Sequence, residues 1–255
     1  MSQVSISQRR QPAKKCAIIT PIGDAPFEVE FSVHQPSKSF RKTDIEPAFP
    51  DAISFRHQPL FCVVTFQLAN YIFGIDSDAN ISKDADGTSS DIQEPSNSIN
   101  TFSMISSDDR TIGYKDVARD RYFYFMKRLK GACEIAMQEI CTGSVVNPPD
   151  EEPLERDSTA QPPSLWVDWT DPATGLPILG QCGPTTYCES DAIEQLMVCD
   201  IVVVAGNGGA CRMIQHERWG VDVYPATGFV SVPSFEVLQR GFDLLLQAPE
   251  FKIVS

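Results

Sequence analysis

The chain has 255 residues, 42% of them apolar, and a formal net charge of −13. That length fits one domain with appendages or two small ones, and the apolar share supports a core. No apolar run approaches the roughly 18 residues of a membrane span, and an acidic chain lacks the clustered Lys and Arg that nucleic-acid phosphates need.

No apolar stretch near the start suggests a secretory signal. The eight cysteines, Cys16, Cys62, Cys133, Cys141, Cys182, Cys188, Cys199 and Cys211, therefore read as free thiols in a reducing compartment, mostly as small buried hydrophobes. Charge is uneven. Residues 1–23 carry four bases and no acid, residues 76–112 eight acids against two bases, and residues 144–163 five acids against one base.

Residues 1–24 read as a flexible basic segment interrupted by Pro12 and Pro21. The same composition fits a mitochondrial transit peptide, although Pro12 breaks the amphipathic helix such a peptide needs. Phe27 to Val33 alternates apolar and polar residues, as a half-buried strand does. His34 and His57, each near a proline, are expected at the surface. Phe40 to Phe49 reads as a short irregular or helical piece ending at Pro50. Leu60 to Phe66 is a continuous β-branched and aromatic run, expected as a central strand covered on both faces. A partner strand is expected at Tyr71 to Ile75, followed by a disordered acidic loop over 76–112.

Tyr114 to Cys141 is the clearest helix. Val117, Tyr122, Phe125, Met126, Leu129, Ala132, Ala136, Met137 and Ile140 recur at steps of three and four, with Gly143 as the stop. A second acidic loop covers 144–163. Leu165 to Trp169 reads as a strand, Asp171-Pro-Ala-Thr-Gly175 as a turn, and Leu176 to Leu179 as the returning strand. Ser190 to Met197 suits a short helix. Ile201 to Val204 and Cys211 to Ile214 form a hairpin about Gly206-Asn-Gly-Gly209. Two further strands are expected at Val221 to Tyr224 and Gly228 to Val232. A last helix starts behind Pro233 with Ser234 as N-cap. Hairpins mixed with long helices, without βαβ alternation, indicate an α+β fold with a mainly antiparallel sheet. The expected organisation is one domain over 25–247 with a C-terminal extension at 248–255.

No catalytic constellation stands out. Cys211-x4-His216 with Cys182, Cys188 and Cys199 lacks the close ligand pairs of a zinc site. Gly206-Asn-Gly-Gly209 precedes a strand rather than a helix, so it reads as a turn and not a phosphate cradle. Three histidines and no Gly-x-Ser-x-Gly elbow leave no hydrolase triad. Asp168 and Asp171 resemble a carboxylate pair, but Asp171 before Pro172 is a turn opener. Trp166, Trp169 and Trp219 are core anchors or stacking platforms for a flat ligand. His216 is either structural or part of a partner surface.

Two strings carry a resemblance. Trp166-Val-Asp168-Trp169-Thr-Asp171-Pro172-Ala-Thr-Gly175-Leu176 and Gly209-Ala210-Cys211-Arg212 followed by His216-x-x-Trp219-Gly220 resemble the C-terminal domain of the cobalamin-trafficking CblD family. Weaker similarity extends to Ser39–Pro50 and Lys130–Ile135. The resemblance implies a nitroreductase-like α+β fold and a non-catalytic adaptor. Such an adaptor binds a CblC-like cobalamin carrier and directs the cofactor toward methionine synthase or methylmalonyl-CoA mutase, in the cytoplasm or the mitochondrion. No cofactor is expected on the chain alone. It also implies that a thiolate from a glycine-adjacent cysteine pair ligates the cobalt of partner-held cobalamin. Where the family has Gly-Cys-Cys, this chain has Gly209-Ala210-Cys211, and the family ligand corresponds to Ala210. Cys211 is the remaining cobalt–thiolate candidate, with Gly209, Arg212, His216, Trp219 and Gly220 as the candidate partner surface. Arg212 beside Cys211 would favour its thiolate. A flavin-dependent reductase and an interaction module without cofactor handling are the alternatives.

Overall fold

The computed structural model describes residues 6–7, 14–69, 114–143, 164–206 and 209–254. Its centre is β4 (Leu60–Leu68), antiparallel on one side to β3 (Phe27–His34) and on the other to β9 (Val223–Ser231). Outward from β3 lie β2 (Lys15–Ile19) and β10 (Phe251–Val254). Outward from β9 lie β5 (Trp166–Asp171) and β6 (Leu176–Pro177). A two-residue strand, β1 (Ile6–Ser7), pairs with β3 in parallel and completes the eight-stranded sheet. The fold is α+β with a large antiparallel sheet.

β4 alternates its side chains between two separate cores. Phe61 and Val63 face α3 (Tyr114–Gly143) and α5 (Phe235–Gln247), together with Phe31, Phe125 and Phe242. Leu60, Cys62, Val64 and Phe66 face a mixed layer. That layer comprises helical turns α1 (Lys38–Phe40), Arg41–Ile45 and α2 (Glu46–Ala48), a 3-10 turn at Pro50–Phe55, and the helix α4 (Glu189–Leu196). A separate hairpin of β7 (Asp200–Gly206) and β8 (Gly209–Gln215) leads away from it. The nearly continuous apolar run of β4 is what burial on both faces requires.

Several expectations change. The N-terminal segment is not flexible throughout: Lys15–Ile19 is β2, paired with β3. The C-terminal residues are not an appendage, because Phe251–Val254 is β10 and pairs with β2 over four residues. The strands expected at Val221–Tyr224 and Gly228–Val232 are one strand, β9, paired with β4 from Leu60–Ser231 to Leu68–Val223. Pro225 lies beyond the last β5 pair, Trp169 with Gly228, where a missing donor costs least. Gly228 faces the Met126 side chain of α3, which occupies the room a Cβ would need. The helical piece ends at Ala48, just before Pro50 as expected, and Pro50 then opens a separate 3-10 turn. Ile140, expected on the apolar face of α3, is 38% exposed. Ser234 stands at the N-cap of α5 but makes no side-chain capping bond. The strand expected at Tyr71–Ile75 and the acidic loops at 76–112 and 144–163 lie outside the described residues.

Phe242 tests the first core. It is fully buried and stacked on Phe31 with ring centroids 5.4 Å apart. Phe242→Ala is expected to lower unfolding stability by about 3–5 kcal/mol, read as a drop in urea midpoint at unchanged slope. Val203→Ala, at a position 65% exposed, should cost less than about 0.5 kcal/mol.

Candidate functional site

The first resembling string folds as a scaffold. Asp168 is buried in β5, and its carboxylate accepts four backbone N–H bonds: Oδ1 from Trp169 (2.8 Å), Ile178 (3.3 Å) and Leu179 (2.9 Å), and Oδ2 from Gly180 (2.9 Å). Burial pushes Asp168 above the usual carboxylate range, against the pull of those donors. Asp171 opens the expected turn, with Oδ1 accepting from Ala173 N (3.1 Å) and Oδ2 from Thr174 Oγ1 (3.1 Å). Pro172 follows it, and Gly175 closes the turn at φ +70°, where a Cβ would sit 2.2 Å from the Tyr187 carbonyl oxygen. Asp168 is held by backbone amides and Asp171 by its own turn, so both carboxylates serve as local structural acceptors. Trp166 and Trp169 are buried in opposite cores.

The second string also closes on itself. His216 and Gly220 form an antiparallel bridge with reciprocal backbone bonds of 2.9 and 2.8 Å, and Gly220 turns at φ +57°. His216 is buried. Its Nδ1 accepts from Arg218 N (3.2 Å), so Nε2 carries the proton and donates to Glu30 Oε1 (3.1 Å). The ring stacks on Trp219 at 4.7 Å and lies 5.0 Å from Phe66. Burial pulls Glu30 upward, but the His216 bond and the Lys14 ammonium outweigh it and hold the carboxyl below its usual range. Arg218 pairs with Glu28 and covers Trp219. His216 is therefore a brace between the hairpin's base and β3. Trp219 is half-buried against the mixed core rather than a free platform.

The hairpin ladder is regular. Val204 pairs with Cys211 and Ala205 with Ala210, without a bulge, so positions 210 and 211 alternate faces. Ala210, the position of the family's ligand, is exposed. The side chain of Cys211 lies outside the described residues. Arg212 is turned to α4, where Nη1 donates to Asp191 (2.7 Å) and Nη2 to Glu194 (2.6 Å). It fastens the hairpin to α4.

Further polar residues complete the picture around this layer. His34, expected at the surface, is 1% exposed, lies within hydrogen-bonding distance of Ser32 Oγ (2.7 Å), and is pushed down by burial to about 4. His57 is exposed, as expected. Glu189 opens α4 with its carboxylate on β5 and β9. Oε1 accepts from Thr170 Oγ1 and Thr227 N (3.1 Å), and Oε2 from Thr227 Oγ1 (2.6 Å). Cys16 donates to Glu28 (2.7 Å), and burial with that acceptor pushes its thiol up to about 12, which disfavours the thiolate. Among the described residues, no group of three or more His, Cys, Asp or Glu is placed to hold a metal ion, and no helix is long and apolar enough to cross a membrane.

The scaffold reading of Asp168 makes a contrast between two neighbours. Asp168→Asn puts an amide where only acceptors fit and should cost about 2–3 kcal/mol. Asp171→Asn keeps the turn acceptor and should cost less than about 1 kcal/mol. Urea unfolding of both variants decides it, and equal costs would remove the distinction. Compared with protein-family models and with curated protein sequences, the chain matches none.

Proposed function

We propose that the chain is a non-catalytic adaptor in intracellular cobalamin handling, built on a nitroreductase-like domain of the CblD kind. It docks on a CblC-like carrier loaded with cobalamin and helps direct the cofactor toward methionine synthase or methylmalonyl-CoA mutase. The observation that carries the reading is the β7–β8 hairpin. It lies outside the eight-stranded sheet, and neither of its outer edges has a strand partner among the described residues. An open strand edge is a ready contact for another chain.

Both strings that resemble the family serve this element. The Asp168 turn fixes the loop that leads into α4, and the His216–Gly220 turn fixes the hairpin's base on β3. What they position is the strand holding Ala210 and Cys211. A soft thiolate is a reasonable ligand for cobalt held by the partner. With Ala at the family's ligand position, Cys211 would have to act from the opposite face of the ribbon.

The test is an absorbance titration of the purified chain into the cobalamin-loaded carrier, wild type beside Cys211→Ala. Both proteins are expected to form the complex, and the shift in the cobalamin spectrum is expected for wild type alone. A complex with no shift in either protein leaves an adaptor that works by protein contacts and removes the thiolate role. No complex overturns the adaptor reading, and a purified chain that takes up FMN and turns yellow would favour a reductase.

A further inference from the structure

Among the described residues, α4 is joined both to the sheet and to the outer part of the hairpin. Its first residue, Glu189, reaches Thr170 on β5 and Thr227 on β9. Asp191 and Glu194, within the next two turns, hold Arg212 in the middle of β8. We infer that α4 is a proton-operated latch: the protonation state of Glu189 sets how firmly α4 lies on the sheet and, through Arg212, how firmly the hairpin is held. This inference does not rest on the cobalamin reading.

The surroundings of the carboxyl make both proton states possible but unequal. The groups that act on it or face it are the Thr170 and Thr227 hydroxyls, the Thr227 amide, Cys62 on β4, Tyr122 on α3, and Tyr187 before α4. None is a cation. A charged carboxylate here keeps three donors but has lost its water, while a neutral carboxyl can share protons with hydroxyls that rotate. Burial outweighs the three hydrogen bonds and pushes Glu189 up to about 7. The docked helix thus holds its proton more tightly than an undocked, hydrated one. Docking is fully supported below the ordinary carboxylate value of 4.5, and that support is lost as pH rises through about 7. Arg212 stays charged across this range, held above its ordinary value by its hydrogen bond to Glu194.

Hydrogen exchange of the full chain at pH 6 and pH 8, corrected for intrinsic rates, tests the latch. Between these values the population of open α4 should rise about tenfold. Protection of α4 should fall by that factor and that of β7–β8 by up to about fivefold, the most that exposed ion pairs supply, with no change in β3, β4 or β9. In Glu189→Gln, which carries no titrating group, protection of both elements should be the same at both pH values. In Arg212→Ala, a surface change, α4 should keep its response while the hairpin is weakly protected at both. Equal hairpin protection at the two pH values in wild type overturns the inference. So does a hairpin that still follows α4 after Arg212→Ala, or a pH response that survives Glu189→Gln.

Discussion

A central strand buried on both faces governs this architecture. β4 sends alternate side chains into two cores, so the sheet needs a cover on each side. The α3/α5 side is met mainly by apolar packing, with Gln67 of β4 donating to the Ala118 carbonyl of α3 (3.2 Å). The other side is mixed, because β3 presents Glu28, Glu30, Ser32 and His34 to it while β5 and β9 add Asp168, Thr170 and Thr227. Buried polar groups there must find partners or destabilise the fold. The 176–180 loop, α4 and the His216 turn supply them, by three backbone amides to Asp168, a carboxylate to the two threonines, and an imidazole to Glu30. The mixed layer is thus held by directional bonds, which fix its orientation more sharply than apolar contact does.

Much of this was legible from periodicity. β3 and β4 announced themselves by alternation and by an uninterrupted apolar run, and α3 and α5 by apolar residues at steps of three and four. These signals are local. β2 and β10 were not legible, because each is short and their meaning lies in pairing with each other from opposite ends of the chain. In sequence β9 looks like two strands, because Pro225 and Gly228 interrupt its apolar run. What keeps it whole is its full-length pairing with β4, a tertiary fact.

The candidate site divides along the same line. Asp171, Pro172 and Gly175 were legible as turn chemistry. The Asp168 contacts depend on a loop ten to twelve residues away and left no local mark. Glu28 and Glu30 look like the solvent face of a strand, and only the arrival of Arg218 and His216 covers them. Glu189 looks like an ordinary acidic first residue of a helix. Its carboxyl is unusual because two strands separated in sequence supply the donors.

The two strings that suggested a family are therefore scaffold, and the element they hold is the hairpin. Its outer part contributes little to the fold, since the Arg212 pairs are exposed and such pairs contribute about 0–1 kcal/mol. The most direct test is the affinity of a trimmed chain for the cobalamin-loaded carrier, with residues 203–212 replaced by a two-residue turn between Val202 and Met213. The account predicts a thermal midpoint within about 4 °C of wild type and binding weakened by about a hundredfold or more, roughly 3 kcal/mol. Wild-type affinity in the trimmed chain would contradict the claim that the hairpin is the working surface.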